Sequence, residues 1–476
     1  MNRFPHNRIG TCQEPGAGGI VGDLYDPATG AGRAPFRAAS EDQVARAVAA
    51  AQRSGWPDST PAARLAALVA LRDGIARRHE AFAALISEEI GAPIDFARAA
   101  QVDAALAHLD ATIAVLPEAL AEQTGPDPVH RVRFEPVGVS ALITPWNWPL
   151  NQMVLKLGTA LAAGCPAVLK PSELAPRTAA LLLDCCERAG LPEGTLGLLL
   201  GDGVTGAALA AHPGIAHVSF TGSTEAGRAV ARIAAERFAR TTLELGGKSA
   251  NLLFADCDLP LAIRQGVAHC VRNAGQSCNA ASRMLVERAI YGEAVALAAQ
   301  AMAAIAVDRP DRPGTHIGPQ VSLAQWQRVQ ALIATGCAEG ARLVAGGAGR
   351  PEGLDEGFYS RPTAFADVTP DMTLFTTEIF GPVLTLTPFD TEAEAIALAN
   401  ATPYGLAAYV QTRDPARADR VSRALHAGMI QVNGTSRAQG APFGGIKASG
   451  WGREAGLWGI RAFQEIKSIS GAAMVV

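Results

Sequence analysis

The stretch that decides the fold is SALITPWNWPLNQMVLKLGTALAAGCPAVLK, residues 140–170. It opens with an apolar segment at 140–143, which leads into a turn at 144–149 that is rich in proline and tryptophan. A helix is predicted from about residue 151 to 163, and a second apolar segment follows at 167–169. Strand, helix and strand in this order predict two parallel strands joined by a crossover helix.

The alternation of strand and helix continues in both directions along the chain. The predicted segments in the rest of the first half are helices at Glu41–Gln52, 62–75 and 80–89, extended segments at 132–134 and 138–143, a helix at 177–189, strands at 196–200 and 218–221, and a helix that runs through Phe238. Such alternation is typical of an α/β protein with a parallel, doubly wound sheet.

The second half of the chain repeats this alternation. Its predicted elements are a strand at 249–254, a helix at 259–274, and strands at 283–287, 383–388 and 429–432. Residues 465–474 also have the pattern of a strand, but no partner is obvious nearby. A terminal strand of this kind pairs with another subunit or frays, and both alternatives stay open at this point.

Length and charge limit the kinds of protein that this chain can be. With 476 residues it exceeds the size at which one hydrophobic core keeps growing, so two or more domains are expected. The net charge is −4 and no long basic run occurs, which argues against nucleic acid or an anionic membrane as a partner. The N-terminus lacks a signal-peptide pattern, and every apolar stretch is interrupted before the roughly 20 residues of a membrane span. A soluble, cytoplasmic protein is expected.

Eight cysteines are scattered along the chain, at positions 12, 165, 185, 186, 257, 270, 278 and 337. They form no C-x-x-C pair and no cluster with histidine at metal-ligand spacing, so no metal site is predicted. The default expectation for each is a small, buried, reduced side chain. Cys278 differs because Gln276, Ser277 and Asn279 around it are polar, as on an exposed turn that carries a nucleophile.

Six short motifs occur in order along the chain: TPWNWP (144–149), KPSE (170–173), FTGST (220–224), ELGGK (244–248), GQSCNA (275–280) and EIFGPV (378–383). With DPATG at 26–30 and GGIKASGWGRE at 444–454, they span nearly the whole chain. The chain therefore resembles the NAD-dependent, non-phosphorylating, hydrolytic class of the aldehyde dehydrogenase superfamily. The resemblance implies an α/β fold with a Rossmann-like cofactor domain, an α/β catalytic domain and a small β oligomerisation element.

The resemblance also implies a mechanism that passes through a thioester. Cys278 is then the nucleophile, Asn147 and the backbone N–H of Cys278 hold the oxyanion, and Glu244 activates the water that hydrolyses the thioester. Lys156 and Glu454 match a buried pair that assists proton movement. Taken singly, Asn147 also fits a plain turn residue, Glu244 a solvated side chain at a strand end, and Lys156 with Glu454 a structural ion pair.

The cofactor that the resemblance implies is NAD, with NADP disfavoured. The carboxylate of Glu173 accepts hydrogen bonds from ribose hydroxyls and repels a 2′-phosphate, whereas Lys170 tolerates either cofactor. Residues 201–206 have a G-x-G-x-x-G pattern, which is a weak signal here, and the loop is one residue shorter than usual in the family. The residues matched to cofactor contacts are Thr144, Trp146, Lys170, Ser172, Glu173, Gly203, Phe220, Gly222, Ser223, Leu245, Gly246, Glu378 and Phe380.

The residues matched to the substrate pocket are Trp148, Gln152, Leu155, Ser277, Asn279, Arg437 and Phe443. Leu155 stands where some relatives have a bulky aromatic side chain, so a comparatively roomy pocket is expected. Arg437 pairs with the distal carboxylate of a semialdehyde or is a solvated arginine at the rim, and both interpretations stay open. The sequence does not identify the aldehyde.

Domain boundaries follow from the same resemblance: a cofactor domain at 1–116 and 137–246, a catalytic domain at 247–464, and an oligomerisation element at 117–136 and 465–476. Strand addition between such elements predicts a homodimer or homotetramer. Two other functions stay open. One is a relative that passes the acyl group to coenzyme A, which the presence of Glu244 disfavours. The other is a structural use of the fold, which would not need Cys278, Asn147 and Glu244 together.

Overall fold

The computed structural model describes residues 5–126 and 129–471. Its strands, in chain order, are β1 (Asn7–Ile9), β2 (Cys12–Glu14), β3 (Ile20–Val21), β4 (Phe36–Arg37), β5 (Gln123–Thr124), β6 (His130–Pro136), β7 (Ser140–Ile143), β8 (Ala167–Lys170), β9 (Leu196–Leu198), β10 (His217–Thr221), β11 (Arg240–Glu244), β12 (Ala250–Leu253), β13 (Arg283–Glu287), β14 (Arg342–Ala345), β15 (Thr363–Ala366), β16 (Val383–Phe389), β17 (Ala407–Gln411), β18 (Met429–Val432), β19 (Gly450–Trp451) and β20 (Gln464–Ser470).

The α-helices, again in chain order, are α1 (Glu41–Gln52), α2 (Pro61–Ala76), α3 (His79–Ile90), α4 (Ile94–Phe96), α5 (Asp103–Leu120), α6 (Pro149–Ala163), α7 (Pro176–Glu187), α8 (Gly203–Ala211), α9 (Thr224–Ala235), α10 (Leu259–Val271), α11 (Arg288–Ala303), α12 (Leu323–Ala338), α13 (Thr373–Thr376), α14 (Glu392–Asn400), α15 (Pro415–Ala424) and α16 (Gly456–Ala462).

The stretch at 140–170 forms the predicted strand, helix and strand at the centre of an eight-stranded sheet. The strand order is β19-β11-β10-β7-β8-β9-β1-β2, and the five strands from β11 to β9 run parallel. Helix α6 begins at Pro149, whose fixed φ suits the first helical position, and ends at Gly164 with φ +87°. Every residue of α6 is buried, because the helix is covered by the sheet on one side and by other helices on the other. The predicted α/β architecture is therefore present.

A seven-stranded sheet, in the order β14-β15-β16-β13-β12-β17-β18, forms the second half of the molecule. Its strands run parallel except β14, which pairs antiparallel with β15. Separate hydrophobic clusters cover its two faces, one that includes α10 and α11 and another that includes α12 and α14. Strand β19 crosses from this half of the chain into the first sheet and pairs with β11 at Glu244. The predicted domain boundaries stay a prediction.

The C-terminal strand has a partner in its own chain, an outcome that neither of the two alternatives left open by the sequence had named. Strand β20 pairs antiparallel with β6 along seven residues, from Gln464 opposite Pro136 to Ser470 opposite His130. The partner was not obvious because it lies more than 300 residues away in sequence, beyond the reach of a local pattern. In this three-stranded sheet, ordered β20-β6-β5, β20 is an edge strand. Residues 472–474 of the predicted strand lie outside the described residues.

The sequence analysis missed the long helical stretch at Ile94–Leu120, which includes a π-helical segment at Ala97–Val102. By length and composition alone it passes the test for a membrane-crossing helix, as core helices of soluble proteins also do. In the fold it packs against α2, α6 and α16, and Ala105, Leu109 and Leu116 are buried in that contact. Its role here is to place the residues before α5 beside the turn at 144–149.

Candidate active site

Cys278 lies on an irregular turn that follows helix α10. The helix ends at Val271, three residues before the predicted end, because Asn273 and Ala274 adopt left-handed conformations with φ of 54° and 56°. Gly275 is also left-handed, with φ +75°. A Cβ atom on Gly275 would lie 2.1 Å from the backbone of Gly381, so only glycine fits there. A pattern of apolar residues cannot show such a backbone reversal, which depends on contacts with distant segments.

Side-chain amides tie this turn to neighbouring segments. Asn273 Nδ2 donates to the carbonyl of Asn147 at 2.8 Å, and Gln320 Nε2 donates to the carbonyl of Ala274 at 3.1 Å. Gln276 Oε1 accepts from the backbone N–H of Val321 at 2.9 Å. The sequence analysis did not assign these positioning roles, because a single sequence carries no signal of where a buried amide finds its partner.

Cys278 lies where two cavities meet. The first, which we call the Glu244 cavity, has a volume of about 840 Å³ and is lined by Pro145, Trp146, Asn147, Gln152, Thr221, Gly222, Ser223, Glu244, Leu245, Gly246, Cys278, Gln325, Arg328, Glu378 and Phe380. The second, the Arg437 cavity, has a volume of about 770 Å³ and is lined by Ala100, Ala104, His108, Trp148, Asn151, Gln152, Leu155, His269, Arg272, Ser277, Cys278, Asn279, Arg437 and Phe443. A half-buried thiol is thus accessible from both sides.

The Cys278 thiol is a weak acid in this environment. Burial, together with the negative charges of Glu378 and Glu244, raises its pKa to about 12. The backbone N–H groups of Asn279 and of Cys278 itself oppose the shift by hydrogen bonding to the sulfur. At neutral pH the group is therefore a thiol, and a reaction at sulfur requires a base that removes its proton.

Asn147 is held beside the nucleophile turn rather than exposed at a loop. Its side chain is buried, and its Nδ2 donates to the carbonyl of Gln276 at 3.0 Å. The backbone carbonyl of Asn147 accepts hydrogen bonds from Gln101 Nε2 at 3.3 Å and from Asn273 Nδ2. An amide nitrogen carries two protons, so one N–H of Asn147 remains available to an oxygen atom bound next to Cys278.

Glu244 ends strand β11 and is 1% exposed, which rules out the solvated alternative. Neither carboxyl oxygen has a hydrogen-bond partner among the described residues. Burial and the negative charge of Glu454 raise the pKa of Glu244 well above its ordinary value, while Lys156 and Arg453 lower it. A Cβ atom on Gly444 would lie 2.4 Å from Glu244 Oε1, so that glycine makes room for the side chain. The Glu244 carboxylate is therefore a stronger base than an ordinary glutamate, and no hydrogen bond from the described residues fixes its position.

Lys156 and Glu454 form the predicted buried ion pair. Lys156 Nζ also donates to Ser219 Oγ at 3.0 Å, and Ser219 Oγ lies 3.4 Å from the same Glu454 oxygen. The other carboxyl oxygen of Glu454 has no partner in the described chain. Since Glu454 raises the pKa of Glu244, the two carboxyl groups are close enough to interact electrostatically.

Two aromatic rings and one carboxylate line part of the Glu244 cavity. Trp146 and Phe380 meet edge to face with centroids 5.5 Å apart. Glu378 Oε1 accepts from the backbone N–H of Gly247 at 3.1 Å, and burial raises the pKa of this carboxyl to about 7. Gln325 of α12 donates to the carbonyl of Phe380 at 2.8 Å and so fixes this segment, a contact that the sequence did not suggest.

Other residues matched to a cofactor lie at or just after the carboxyl ends of β8 and β10 in the first sheet. Lys170 is buried, burial lowers its pKa, and its Nζ lies 4.0 Å from Glu173 Oε2. Ser172 Oγ donates to the same Glu173 oxygen at 3.3 Å. Ser223 is the N-cap of α9, where its oxygen accepts from the N–H of Ala226 at 3.1 Å. Its hydroxyl proton remains available to a ligand.

Six of the matched residues lie outside the lining of the Glu244 cavity: Lys170, Ser172 and Glu173, and also Phe220, Thr144 and Gly203. Phe220 is packed in the hydrophobic core beneath it with Leu245. Thr144 is buried next to Lys170, whose carbonyl accepts its N–H, and its hydroxyl has no partner in the described part of the chain. Gly203 begins α8, whose N-terminus is capped by the carboxylate of Asp202, and a Cβ atom there would meet open space. The roles of these residues stay predictions.

The seven residues matched to the substrate pocket all line the Arg437 cavity. Trp148 Nε1 donates to Ser277 Oγ at 3.1 Å, which fixes the indole next to Cys278. Arg437 is half-buried, donates to the carbonyl of Ala441 and lies 5.4 Å from the centroid of Phe443, so it is not a freely solvated rim residue. His108, His269 and Arg272 also line this cavity, and no local motif marks them in the sequence.

Comparison with known proteins gives consistent matches over the whole chain. Residues 19–469 match the model of the aldehyde dehydrogenase family. A 3-succinoylsemialdehyde-pyridine dehydrogenase from a Pseudomonas species is 44% identical over 437 residues, which cover 91% of each chain.

Two solved structures share the fold of this chain. An aldehyde dehydrogenase from Bartonella henselae superposes with a TM-score of 0.96 at 42% identity and covers 99% of this chain and 100% of its own. An alanine variant of aldehyde dehydrogenase C from Pseudomonas syringae, in complex with NAD+ and octanal, also has a TM-score of 0.96 at 42% identity, with 100% and 99% coverage. The predicted fold class is confirmed.

Proposed function

We propose that this chain, which belongs to the aldehyde dehydrogenase family, oxidises an aldehyde to the carboxylic acid. NAD is the oxidant, and the reaction passes through a thioester on Cys278. The observation that carries the proposal is the position of Cys278 between the Glu244 cavity and the Arg437 cavity. Cys278 and Gln152 line both cavities. The complex of the Pseudomonas syringae relative with NAD+ and octanal supports the choice of cofactor and substrate class.

The first chemical step is attack of the sulfur on the aldehyde carbon. The S–C bond forms, the carbonyl electron pair moves onto oxygen, and the thiol proton has to leave, because burial holds the pKa of Cys278 at about 12. Glu244 lines the same cavity, has a raised pKa and has no hydrogen bond to break, so we assign it as the acceptor of this proton. A raised pKa makes a carboxylate a better base near neutral pH.

The negative oxygen formed in that step needs donors that are already in place. The free N–H of Asn147 and the backbone N–H of Cys278 are the candidates, and the hydrogen bonds of Asn147 to Gln276, Gln101 and Asn273 fix its position beforehand. Preorganised donors of this kind stabilise a transition state by about 3–4 kcal/mol each.

The Glu244 cavity has the features that a nicotinamide cofactor requires. The Glu378 carboxylate is aimed at its interior beside Gly246, where a Cβ atom would lie 2.1 Å from Glu378 Oε2, so the glycine leaves the space open. Glu378 can accept hydrogen bonds from a ribose, Ser223 and the N-terminus of α9 suit a pyrophosphate, and Lys170 with Glu173 suits the second ribose. When bound, the cofactor supplies the hydride acceptor for the oxidation.

Release of the acid requires water, and before this step Glu244 has to give up the proton that it took from the thiol. Glu244 then accepts a proton from the attacking water as the O–C bond forms and the S–C bond breaks, which frees the acid and the sulfur of Cys278. The neighbour of Glu244, Glu454, is paired with Lys156 and Ser219, which form a buried polar path leading away from the site. We propose that this group of side chains passes the proton onward.

Coenzyme A as acyl acceptor is disfavoured, because the water-activating carboxylate is present and buried at the nucleophile. A purely structural use of the fold would not need Cys278, Asn147 and Glu244 around one cavity.

An assay of NADH formation tests this proposal directly. With a panel of alkanals, aromatic aldehydes and aldehyde acids, the protein is expected to reduce NAD without added coenzyme A. It is expected to use NAD at least about tenfold better than NADP, because the carboxylate of Glu173 repels a 2′-phosphate. Glu173→Gln is the matched variant and is expected to reduce the preference for NAD over NADP. Turnover that depends on coenzyme A, or no turnover of any aldehyde, would contradict the proposal.

Replacement of Asn147 tests the oxyanion donor. Asn147→Ala is expected to lower kcat by about 10²- to 10³-fold, because one preorganised donor is lost. Alkylation of Cys278 by iodoacetamide forms no oxyanion, so its rate serves as the control and is expected to stay within about threefold of the wild-type value. A variant that retains wild-type kcat would remove Asn147 from the mechanism.

A second candidate function is the specific oxidation of semialdehydes, with Arg437 as the residue that binds their carboxylate. Its position in the wall of the Arg437 cavity favours this, since a cation there faces the space next to Cys278. We further propose a cytoplasmic homodimer or homotetramer, in which the outer edge of β20 adds strands between subunits. The segments at 117–136 and 465–476 are then the oligomerisation element.

A further inference from the structure

We propose that Tyr409 and His269 form a hydrogen-bonded pair that holds the backbone N–H of Cys278 in the orientation that stabilises the oxyanion. Both are then positioning residues, which act on the reaction through the turn around the nucleophile. The inference rests on the proposed function, because it concerns the oxyanion that forms at Cys278. Neither residue belongs to a sequence motif, and neither takes part in the proposed chemical steps.

The hydrogen bonds of the pair assign a direction to each proton. His269 Nδ1 accepts from the backbone N–H of Ala281 at 3.2 Å, which leaves the proton of a neutral imidazole on Nε2. Nε2 lies 3.3 Å from the Tyr409 hydroxyl and therefore donates to it. The hydroxyl in turn donates its own proton to the backbone carbonyl of Asn279 at 2.8 Å. The pair thus binds the chain on both sides of residue 280.

Burial keeps the pair in this state at neutral pH. Burial and the positive charge of Arg272 lower the pKa of His269 to about 4, so the ring is neutral at pH 7. Tyr409 lies on β17 and is 5% exposed, and burial raises the pKa of its hydroxyl, which keeps its proton. The two rings are in contact, with centroids 4.8 Å apart. The Tyr409 ring also belongs to a small apolar cluster against which Cys278 packs.

The peptide group between Asn279 and Ala280 is held at both ends. Its carbonyl accepts from the Tyr409 hydroxyl, and its N–H donates to the carbonyl of Ser277 at 3.0 Å. That Ser277 carbonyl is part of the peptide group whose N–H belongs to Cys278. Because a trans peptide is planar, with its C=O and N–H pointing in opposite directions, a fixed carbonyl also fixes the direction of the Cys278 N–H. The Tyr409 hydroxyl therefore acts on the proposed oxyanion donor through two planar peptide groups.

The next peptide group, between Ala280 and Ala281, is held in the same way. Its N–H donates to His269, and its carbonyl accepts from the N–H of Ser282 at 2.8 Å. His269 therefore has two effects, since it holds this second peptide group and also fixes the hydroxyl of Tyr409. Donors that are held in place before the reaction stabilise a developing negative charge better than donors that have to reorient.

Removal of a single hydroxyl group tests this proposal. Tyr409→Phe keeps the ring, and the rate of the first turnover with an alkanal, measured by rapid mixing, is expected to fall by about 5- to 30-fold because the oxyanion donor is held less well. Alkylation of Cys278 by iodoacetamide forms no oxyanion, so its rate is expected to stay within about threefold of the wild-type value. The KM for NAD is expected to change by less than about twofold, because the pair touches no proposed cofactor contact.

Tyr291→Phe is the matched control. It also removes a tyrosine hydroxyl that donates a hydrogen bond, here to Asp367 at 2.9 Å, but Tyr291 lines neither the Glu244 cavity nor the Arg437 cavity. Its first turnover is expected to equal that of the wild type. An unchanged first turnover in Tyr409→Phe, or equal losses of first turnover and of alkylation, overturns the assignment.

Two variants of His269 test the other half of the pair independently. His269→Leu removes both hydrogen bonds of the ring and is expected to slow the first turnover at least as much as Tyr409→Phe. His269→Asn places an amide oxygen close to the position of Nδ1, where it can accept from the N–H of Ala281, and is expected to recover part of the loss. A His269→Asn enzyme no faster than His269→Leu contradicts the role of this hydrogen bond.

Failure of this inference is distinguishable from failure of the proposed function. If the wild-type enzyme reduces NAD with alkanals and Tyr409→Phe does so equally fast, the pair has no positioning role and the oxidation stands. If no aldehyde gives NADH with the wild type, the proposed function itself fails. The melting temperature of each variant verifies that the altered protein is folded.

Discussion

Replacement of Cys278 by alanine is expected to lower NADH formation by at least about 10⁴-fold. Loss of a nucleophile that acts together with its base removes nearly all of the rate enhancement that these groups supply. No other cysteine takes over, because Cys278 alone among the described cysteines lines either cavity. The measurement is the rate of absorbance change at 340 nm with a good alkanal at saturating NAD.

A second cysteine variant controls for the loss of a thiol in general. Cys337 is exposed on α12, away from both cavities, and Cys337→Ala is expected to retain the wild-type rate. Binding of NAD, followed by quenching of tryptophan fluorescence, is expected to persist in Cys278→Ala, because the proposed cofactor contacts are unchanged. Substantial NADH formation by Cys278→Ala would refute the thioester mechanism.

Glu244→Gln is expected to lower steady-state turnover by about 10²- to 10⁴-fold. The amide has nearly the shape of the carboxyl group but accepts no proton from the thiol or from water. Rapid-mixing kinetics are expected to show a slow first turnover, whose rate rises with pH up to the alkaline limit of the enzyme. That dependence follows because the Cys278 thiol, with a pKa of about 12, then has to ionise without Glu244.

The same variant is expected to be more stable than the wild type at neutral pH. Burial raises the pKa of Glu244 in the folded state, so the folded protein binds this proton more tightly than the unfolded chain. The wild type therefore loses stability as the pH rises above the ordinary glutamate pKa toward the raised one, whereas glutamine stays neutral throughout. The difference in melting temperature is expected to be small near pH 4 and to grow toward pH 8. A difference that is constant with pH would show that Glu244 is not desolvated in this way.

Local sequence patterns were sufficient for much of the fold. The strand at Ser140–Ile143, helix α6 and the strand at Ala167–Lys170 have clear apolar periods and sharp ends, with proline at the start of the helix and glycine after it. Such signals depend on neighbouring residues alone. Helix Ile94–Leu120 escaped detection because its apolar residues do not alternate clearly with polar ones and no strong cap marks its beginning.

The candidate site was predictable where a motif surrounds the residue. Asn147, Glu244 and Cys278 were singled out by TPWNWP, ELGGK and GQSCNA, and all three line one cavity. Ser219, Gln320 and Arg272 had no such signal. Each acts through a partner more than 40 residues away in sequence, as in the bonds of Ser219 to Lys156 and of Gln320 to Ala274.

The sequence by itself determined much of the order of strands and helices, the family and the candidate nucleophile, because these depend on residue type and short spacing. Only the tertiary structure decided that β20 pairs with β6, that α10 stops at Val271, and that Arg272 stacks on Trp148 at the cavity. Left-handed backbone and desolvated carboxyl groups are stable only when distant segments pack around them. Their energies therefore arise from contacts that a linear pattern does not contain.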